Sequence, residues 1–310
     1  MEEKKRYEEL IRIIDYHMDR YYNQDEPEIT DYEYDRLMLE LKKLEKEHPE
    51  WVTPDSPTQK IGGTTKREAG VEVTHNVPML SIQDVFTKEE VTAWVEDVQK
   101  MHPDARFSVE EKIDGLSMTL RYQDGELVLA ETRGNGLVGE DVTQNALVIP
   151  DIRRKIDLPG YVELRGEVYM SHEDFEKFNA QQEEAGKKTA ANPRNLAAGT
   201  LRQLDSRVVK KRGLKMLVFN VQDARENGAD LMESHTGGLE ILQKNGVACV
   251  PHTLCETPEQ VLAAIDAIGE GRGNLTYDLD GAVVKIDQVA YRADFPAGSK
   301  YSAGHIAYKY

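Results

Sequence analysis

Phe107-Ser-Val-Glu-Glu-Lys-Ile-Asp-Gly115 is the stretch on which the reading of this chain turns. Its core, Lys112-Ile-Asp-Gly115, has one free position in four and carries little alone. Two distant lysines answer it: Lys285 in Asp280-Gly-Ala-Val-Val-Lys285 and Lys309 in Ile306-Ala-Tyr-Lys309. Each lysine lies at the edge of an apolar, strand-like run, and Arg165-Gly-Glu-Val168 stands between them in order. A lysine nucleophile must be unprotonated when it attacks, although its ordinary pKa is ~10.4. Burial and neighbouring cations lower that value. Lys285 and Lys309, converging near Lys112, would do so while neutralising a phosphate under attack. Glu110, Glu111 and Asp114 pull the other way unless a metal ion or bound substrate offsets them.

Outward from this stretch the pattern is mixed. Ser117–Thr132 alternates on both sides of Gln123-Asp-Gly125, a hairpin signal. Val162–Met170, Leu214–Val221 and Ala282–Ile286 read as further strands. Val91–Met101, Ser171–Gly186 (opened by a Ser171-x-x-Asp174 cap) and Thr257–Ile268 read as helices. An early hairpin followed by strands and helices in irregular order predicts an α+β fold and not a doubly wound sheet. Before it, Tyr7, Leu10, Ile11, Ile14, Met18 and Tyr21 recur at three- and four-residue steps, one stripe of a helix. Thr30-Asp-Tyr-Glu33 resembles a capping box opening a second helix through Leu37, Leu41 and Leu44, which stops near His48-Pro49. From Trp51 to Pro78 the chain carries Pro54, Pro57, Gly62, Gly63, Gly70 and Pro78, an extended connector. The expected organisation is a small helical domain with connector over 1–70 and a larger domain over 71–310.

The 310 residues suffice for about two domains with real cores. Hydrophobic content of 39% and charged content of 31% are those of an ordinary globular protein. No apolar run approaches the ~20 residues that span a bilayer, and Met1-Glu-Glu-Lys-Lys-Arg6 does not open a signal peptide. Cys249 and Cys255 lack metal-site spacing and read as reduced structural thiols of a cytoplasmic protein. A net charge of −17 argues against a chain that coats nucleic acid by bulk electrostatics. Within that average, residues 192–215 hold Arg194, Arg202, Arg207, Lys210, Lys211, Arg212 and Lys215 against the single acid Asp205. Such a strip fits a directed phosphate contact; a solvated loop would show the same charges.

Two further clusters invite other readings. Gly134-Asn-Gly136-Leu-Val-Gly139 satisfies the dinucleotide-binding G-x-G-x-x-G pattern, but Leu127–Thr132 before it reads as the return arm of a hairpin. Asp157, the acid about 20 residues on, sits in poor context beside Leu158-Pro159. These glycines are expected to turn the backbone sharply so that Arg133 faces a nucleotide. Asp31, Tyr34 and Asp35 share one helical face at i, i+3 and i+4, and Tyr21-Tyr22 could close over the same point. Carboxylates and tyrosines so placed can hold a cationic ring and ribose hydroxyls. Taken alone, the cluster reads as acids favouring the helix dipole with tyrosines packing the pair.

Together these stretches resemble the N-terminal region of bacterial NAD-dependent DNA ligases. The resemblance runs from Tyr21-Tyr22 through Asp31-Tyr-Glu-Tyr-Asp35, Asp55-Ser-Pro-Thr58, His75, Pro78-Met-Leu-Ser81 and Glu110-Glu-Lys-Ile-Asp-Gly115. It continues through Thr132-Arg-Gly134, Arg165-Gly-Glu167, Asn192-Pro-Arg-Asn195, Gly199-Thr-Leu-Arg-Gln-Leu-Asp205, Asp280-Gly281 and Ala307-Tyr-Lys309. It implies a helical domain binding nicotinamide mononucleotide, then a nucleotidyltransferase (ATP-grasp-like, ligase adenylation) domain built on antiparallel sheets. NAD would be an adenylyl donor. Lys112 would attack its α-phosphorus to give lysyl-AMP, with Asp114, Lys285 and Lys309 in the catalytic set. Glu110 and Arg133 would hold the adenosine, Glu167 its ribose, Lys285 and Lys309 the phosphate, and Ser81 and Ile82 would line the site. Phe219 stands where a tyrosine usually stacks on adenine. Tyr21, Tyr22, Asp31, Tyr34 and Asp35 would bind the nicotinamide mononucleotide half, and Arg194 and Arg202 the phosphates of nicked duplex DNA. Magnesium would screen the phosphates, no residue being assigned as a metal ligand. The expected state is a monomer away from membranes.

Glu111 replaces a usual apolar residue, Asn135 an aspartate, Asp84 an asparagine, and Ser302-Ala-Gly-His305 a Pro-Arg-Trp stretch, so presentation of Lys309 is in question. The OB, four-cysteine zinc, helix-hairpin-helix and BRCT domains of the family lie outside this sequence. A fragment that self-adenylates but seals nicks poorly is therefore expected. The alternatives are an ATP- or GTP-dependent nucleotidyltransferase of RNA-ligase or capping type, which has no use for the Tyr21–Asp35 helices, and a non-catalytic nucleotide-binding module.

Overall fold

A computed structural model describes residues 1–22, 27–60 and 67–310, with Tyr22 given by its backbone only. The N-terminal stripe forms helix α1 (Glu2–Tyr22), and Thr30 caps helix α2 (Asp31–Glu47) by accepting from the Glu33 amide. The two pack through Tyr7, Leu10 and Ile14 against Tyr34, Met38 and Leu41, each fully buried aliphatic contributing ~1.5–3 kcal/mol. His48-Pro49 ends α2 as the sequence predicts, because proline cannot continue the ladder.

The rest of the described chain is built on strands β1 (Glu72–Thr74), β2 (Ser81–Val85), β3 (Phe107–Ile113), β4 (Leu116–Gln123), β5 (Glu126–Thr132) and β6 (Val138–Glu140). They continue as β7 (Tyr161–Tyr169), β8 (Lys215–Ala224), β9 (His252–Cys255), β10 (Leu279–Ile286) and β11 (Tyr301–Tyr308). One sheet has the order β2-β11-β10-β3-β9, another β5-β4-β7-β8, and β1 pairs with β6. The hairpin β4–β5 turns on Asp124 (φ 49°) and Gly125 (φ 83°), the paired left-handed residues that a two-residue hairpin turn requires. The sheets are built on antiparallel pairs as expected, with one parallel pairing between named strands. β2 enters from far earlier in the chain, no hairpin constrains its direction, and it runs parallel to β11.

Period-2 alternation divides each large sheet into an apolar and a polar face. Phe107 and Val109 of β3 pack with Val284, Ile286 and Ile306 under the helices Lys88–Met101 and Pro258–Gly271. Met118, Leu120, Leu164 and Val168 join a second core with Leu196 and Leu201. The opposite faces carry Ser108, Glu110 and Lys112 in one sheet and Ser117, Thr119, Arg165 and Glu167 in the other. Asp114-Gly115 links the sheets between β3 and β4. A Cβ at Gly115 would stand 2.1 Å from the Val168 carbonyl oxygen, so only glycine lets the chain pass that close. Cys249 and Cys255 are buried free thiols, and no described helix is long and apolar enough to cross a membrane.

Candidate active site

The two polar faces enclose a cleft of about 680 Å³. Ser81 and Ile82 line it from β2, Glu110 and Lys112 from β3, Asp114 from the linking turn, and Arg133 from the end of β5. Glu167 lines it from β7, Phe219 from β8, Lys285 from β10 and Lys309 from just beyond β11. Arg194 and Arg202, at opposite ends of the helix Pro193–Leu201, complete the wall.

Lys112 pairs across the strands with Gly281, beside a bulge between Leu279 and Gly281. A Cβ at Gly281 would lie 2.4 Å from the Tyr308 carbonyl oxygen; with glycine there, β10 and β11 close up beside Asp280. The Asp280 carboxylate accepts from Lys112 Nζ at 3.0 and 2.9 Å and from Lys309 Nζ at 3.3 Å. Two ammonium groups thus share one acid. With Arg194, whose Nη1 is 3.6 Å from Asp114 Oδ1, they make this end of the cleft a place for phosphate. Burial and the charge of Asp280 raise the Asp114 carboxyl above its usual range. Glu167 is half-buried, with Ser117 Oγ donating to it at 3.3 Å. Burial pushes its carboxyl up to about 7 against the pull of Arg165 and Lys112, so it is partly protonated at neutral pH.

Lys285 occupies the other end. It pairs with Ser108, four residues along β10 from Gly281, which is ~13 Å at ~3.3 Å per residue. Its ammonium is 2.7 Å from Glu110 Oε1 and donates to the Phe219 carbonyl, while Ser108 and His235 donate to Glu110 Oε2 at 2.7 and 2.6 Å. Burial lowers Lys285 to about 8, although Glu110 opposes the fall. Burial alone would raise Glu110, but the charge of Lys285 and the hydrogen bonds from His235 and Lys285 outweigh it and keep the carboxylate ionised. The antiparallel register thus sets the backbones of Lys112 and Lys285 well apart along the cleft that both line. Glu110 has both oxygens engaged inside the protein, and its geometry is that of a group holding Lys285.

Arg133 likewise makes protein contacts, donating to the Met79 carbonyl at 3.1 Å and Ser81 Oγ at 2.6 Å, so it fixes the segment leading into β2. Gly134 (φ 56°) and Gly136 (φ 91°) turn the chain sharply. β5 is an antiparallel hairpin arm followed by β6, which removes the dinucleotide-fold reading.

The helical pair stands apart. Tyr21, Asp31 and Tyr34 border a separate cavity of about 20 Å³, and neither they nor Asp35 line the main cleft. Tyr34 is buried between α1 and α2. Arg207 reaches Asp35 at 3.0 Å and the Asp31 backbone carbonyl at 3.2 Å, and Lys210 Nζ stands 3.8 Å over the Tyr21 ring. The side chain of Tyr22 lies outside the described residues. Within the basic strip, Arg207 and Lys210 meet the helical pair, Arg212 covers the Phe178 ring, and Arg194 and Arg202 face the cleft.

Residues 69–310 match the model of the NAD-dependent DNA ligase adenylation domain, and residues 1–62 that of the DNA ligase-like, N-terminal NAD+-binding domain. The chain belongs to the NAD-dependent DNA ligase family. A DNA ligase of Clostridium kluyveri is 48% identical to this ligase-family chain over 100% of its length, which covers 46% of that relative. The corresponding values for a DNA ligase of Acetivibrio thermocellus are 46%, 100% and 47%. The chain therefore spans about half the length of the curated relatives it matches. An archaeal ATP-dependent RNA ligase aligns over 75% of this chain and 48% of its own at 15% identity and a TM-score of 0.42, too distant a likeness to decide the donor.

Reasoning from sequence left Asp280 without a role and passed over His235 and His305. For Asp280 the signal was present: an Asp-Gly pair at a strand's edge, as at Asp114-Gly115. For the two histidines there was none, since only the fold brings them to Lys285.

Proposed function

We propose that this chain carries the self-adenylating step of a DNA ligase. Lys112 Nζ attacks the α-phosphorus of NAD, a nitrogen–phosphorus bond forms as the pyrophosphate bond breaks, and nicotinamide mononucleotide leaves. The lysyl-AMP then serves nick sealing in the complete ligase, acting as a cytoplasmic monomer. The observation that carries this reading is the Asp280 clamp, which holds Lys112 and Lys309 on a single carboxylate.

Each group has a task in this reading. Asp280 sits where it can take the proton that Lys112 sheds on attack. Lys309 stays to balance the charge that develops on the transferring phosphoryl group, and Arg194 and Arg202 at the cleft wall receive phosphates, including those of nicked DNA. A magnesium ion accompanying the nucleotide would neutralise phosphate charge, with Glu167 and Asp280 as coupled protein carboxylates at that end. Among the described residues the one compact group of possible metal ligands, Glu3-Glu47-His48, lies on the helical pair, so most of the ion's ligands would be phosphate oxygens and water. Phe219 and Val283 offer an apolar seat for the base. Asp31 and Asp35 suit the cationic nicotinamide ring, a position that Arg207 now fills. For one NAD molecule to meet both groups the helical pair must leave Arg207 and turn toward the cleft.

Exposing the protein to NAD or to ATP and weighing it intact tests the assignment. One added adenylyl group from NAD, and none from ATP, is expected. An adduct from ATP alone would overturn the donor.

A further inference from the structure

His75, just beyond β1, lies behind the cleft wall with its side chain 1% exposed. It does not line the cleft itself, whereas Ser81, Thr132, Arg133 and Gly134 do. Its Nε2 is 2.9 Å from the Arg133 carbonyl oxygen. A carbonyl only accepts, so Nε2 carries a proton and donates it. The same carbonyl accepts the Gly136 amide at 2.9 Å, which closes the turn through Gly134. On the other side of the ring, Nδ1 stands 3.0 Å from Glu131 Oε1 without lining up for a hydrogen bond. The aligned contact of the imidazole is therefore the one to Arg133.

The ring is braced on several sides. The His75 amide donates to the Leu137 carbonyl at 2.9 Å, and Arg121 Nη2 bridges the Thr74 carbonyl and Glu131 at 2.9 and 3.0 Å. A Cβ at Gly139 would stand 3.0 Å from His75 Cε1, so glycine there leaves the imidazole its space. Further out, Asn76 donates to the Tyr161 hydroxyl at 2.9 Å, and that hydroxyl donates to Glu163 at 2.7 Å. Arg133 passes the restraint on. Its side chain holds the Met79 carbonyl and the Ser81 hydroxyl, and the Met79 amide donates to the Gly136 carbonyl at 2.9 Å. One line of bonds thus runs from His75 through Arg133 to the start of β2. The Lys112–Asp280 clamp is built from other strands, β3 and β10, so this line bears on nucleotide binding and not on the attacking amine.

We propose that His75 is a positioning residue for nucleotide binding: its Nε2 fixes the Arg133 carbonyl, and through Arg133 it sets the wall from Gly134 to Ser81 against which the nucleotide seats. The assignment rests on the adenylation reading above and deepens it. A wall held in place before the ligand arrives spares binding the cost of ordering it.

The test is the rate of Lys112 adduct formation against NAD concentration, in the wild type and in His75→Asn, His75→Phe, His75→Gln and Tyr161→Phe. Asparagine reaches no farther than Nδ1, and phenylalanine keeps a ring but donates nothing. Glutamine can place an amide nitrogen where Nε2 stands and so restores the bond to Arg133. Tyr161→Phe loosens the same buried network without touching Arg133. His75→Asn and His75→Phe should raise the half-saturating NAD concentration ~10-fold, the scale of one buried hydrogen bond left unmade, with the limiting rate within roughly threefold of wild type. His75→Gln should recover most of the affinity, and Tyr161→Phe should lower Tm with affinity unchanged. The inference is overturned if glutamine weakens NAD as much as asparagine and phenylalanine do, or if Tyr161→Phe weakens it to the same degree. It is overturned equally if the His75 variants lose only Tm, or lose limiting rate instead of affinity. Either loss variant suffices should the other not fold. Absence of any adduct from NAD in the wild type would instead strike the adenylation reading. The rise in Tm that AMP gives, which needs no chemistry, would then rank the same variants and decide the role of His75.

Discussion

Replacing Lys285 with methionine tests the buried pair at the base end of the cleft. Lys285 and Glu110 are each 1% exposed and 2.7 Å apart. Removing the cation leaves a buried carboxylate with Ser108 and His235 as donors. Breaking such a pair from one side costs ~3–5 kcal/mol, which at ~2–4 °C per kcal/mol lowers Tm by roughly 6–20 °C. The loss should depend on pH, because His235 can answer it. In the wild type, burial and Lys285 hold His235 down to about 4 against the pull of Glu110. Its unfolded value is ~6.5, so acidification between those values withdraws stability, ~3 kcal/mol in full. Without Lys285 the charge of Glu110 falls on His235 and draws its folded value upward. Once that value passes the unfolded one, protonation adds stability that is complete below pH ~6.5 and lost as pH rises through the folded pKa. The gap in Tm between wild type and variant should therefore be widest at pH 8 and narrow toward pH 6. Taking the difference cancels Glu167, which both proteins share. Circular-dichroism melts at pH 6, 7 and 8 read it directly. A gap under ~2 °C at pH 8, or one that widens on acidification, would refute the buried pair as drawn.

Other consequences are as specific. Asp280→Asn should slow adduct formation from NAD by ~10²-fold or more with Tm changed by only a few degrees, measured by timed intact mass; an unchanged rate would remove Asp280 from the chemistry. Gly115→Ala puts a methyl group 2.1 Å from the Val168 oxygen and should cost ~1–3 kcal/mol or more, seen as a lower Tm; equal stability would mean the sheets can part without penalty. Deleting residues 1–70 should abolish adenylation by NAD while AMP still raises Tm, and equal NAD reactivity would reduce the Tyr21–Asp35 cluster to a structural role.

Local features were legible where local chemistry decides them. Thr30 caps α2, Asp124-Gly125 turns the β4–β5 hairpin, and Pro49 ends a helix, because each effect lies within a few residues. The lysines, too, were found as a set. Their partition was not legible. Which end of the cleft Lys285 occupies depends on β10 lying antiparallel to β3 with Gly281 against Lys112, a register that strand patterns leave open. For Arg207 and Lys210 the sequence left phosphate contact and solvated loop both open, because charge says nothing of partner, and their partners Asp35 and Tyr21 lie more than 170 residues away. His235 and His305 gave no signal for the same reason: each acquires meaning beside Lys285 only through the sheet and the helix His235–Lys244.

The central claim is that one amine in this cleft, that of Lys112, takes the adenylyl group. Digesting the protein after exposure to NAD and locating the modified residue by tandem mass spectrometry tests it most directly. The account predicts a phosphoramidate on Lys112, absent in Lys112→Ala and discharged by excess nicotinamide mononucleotide. An adenylyl group on Lys285, Lys309 or any other residue would contradict it.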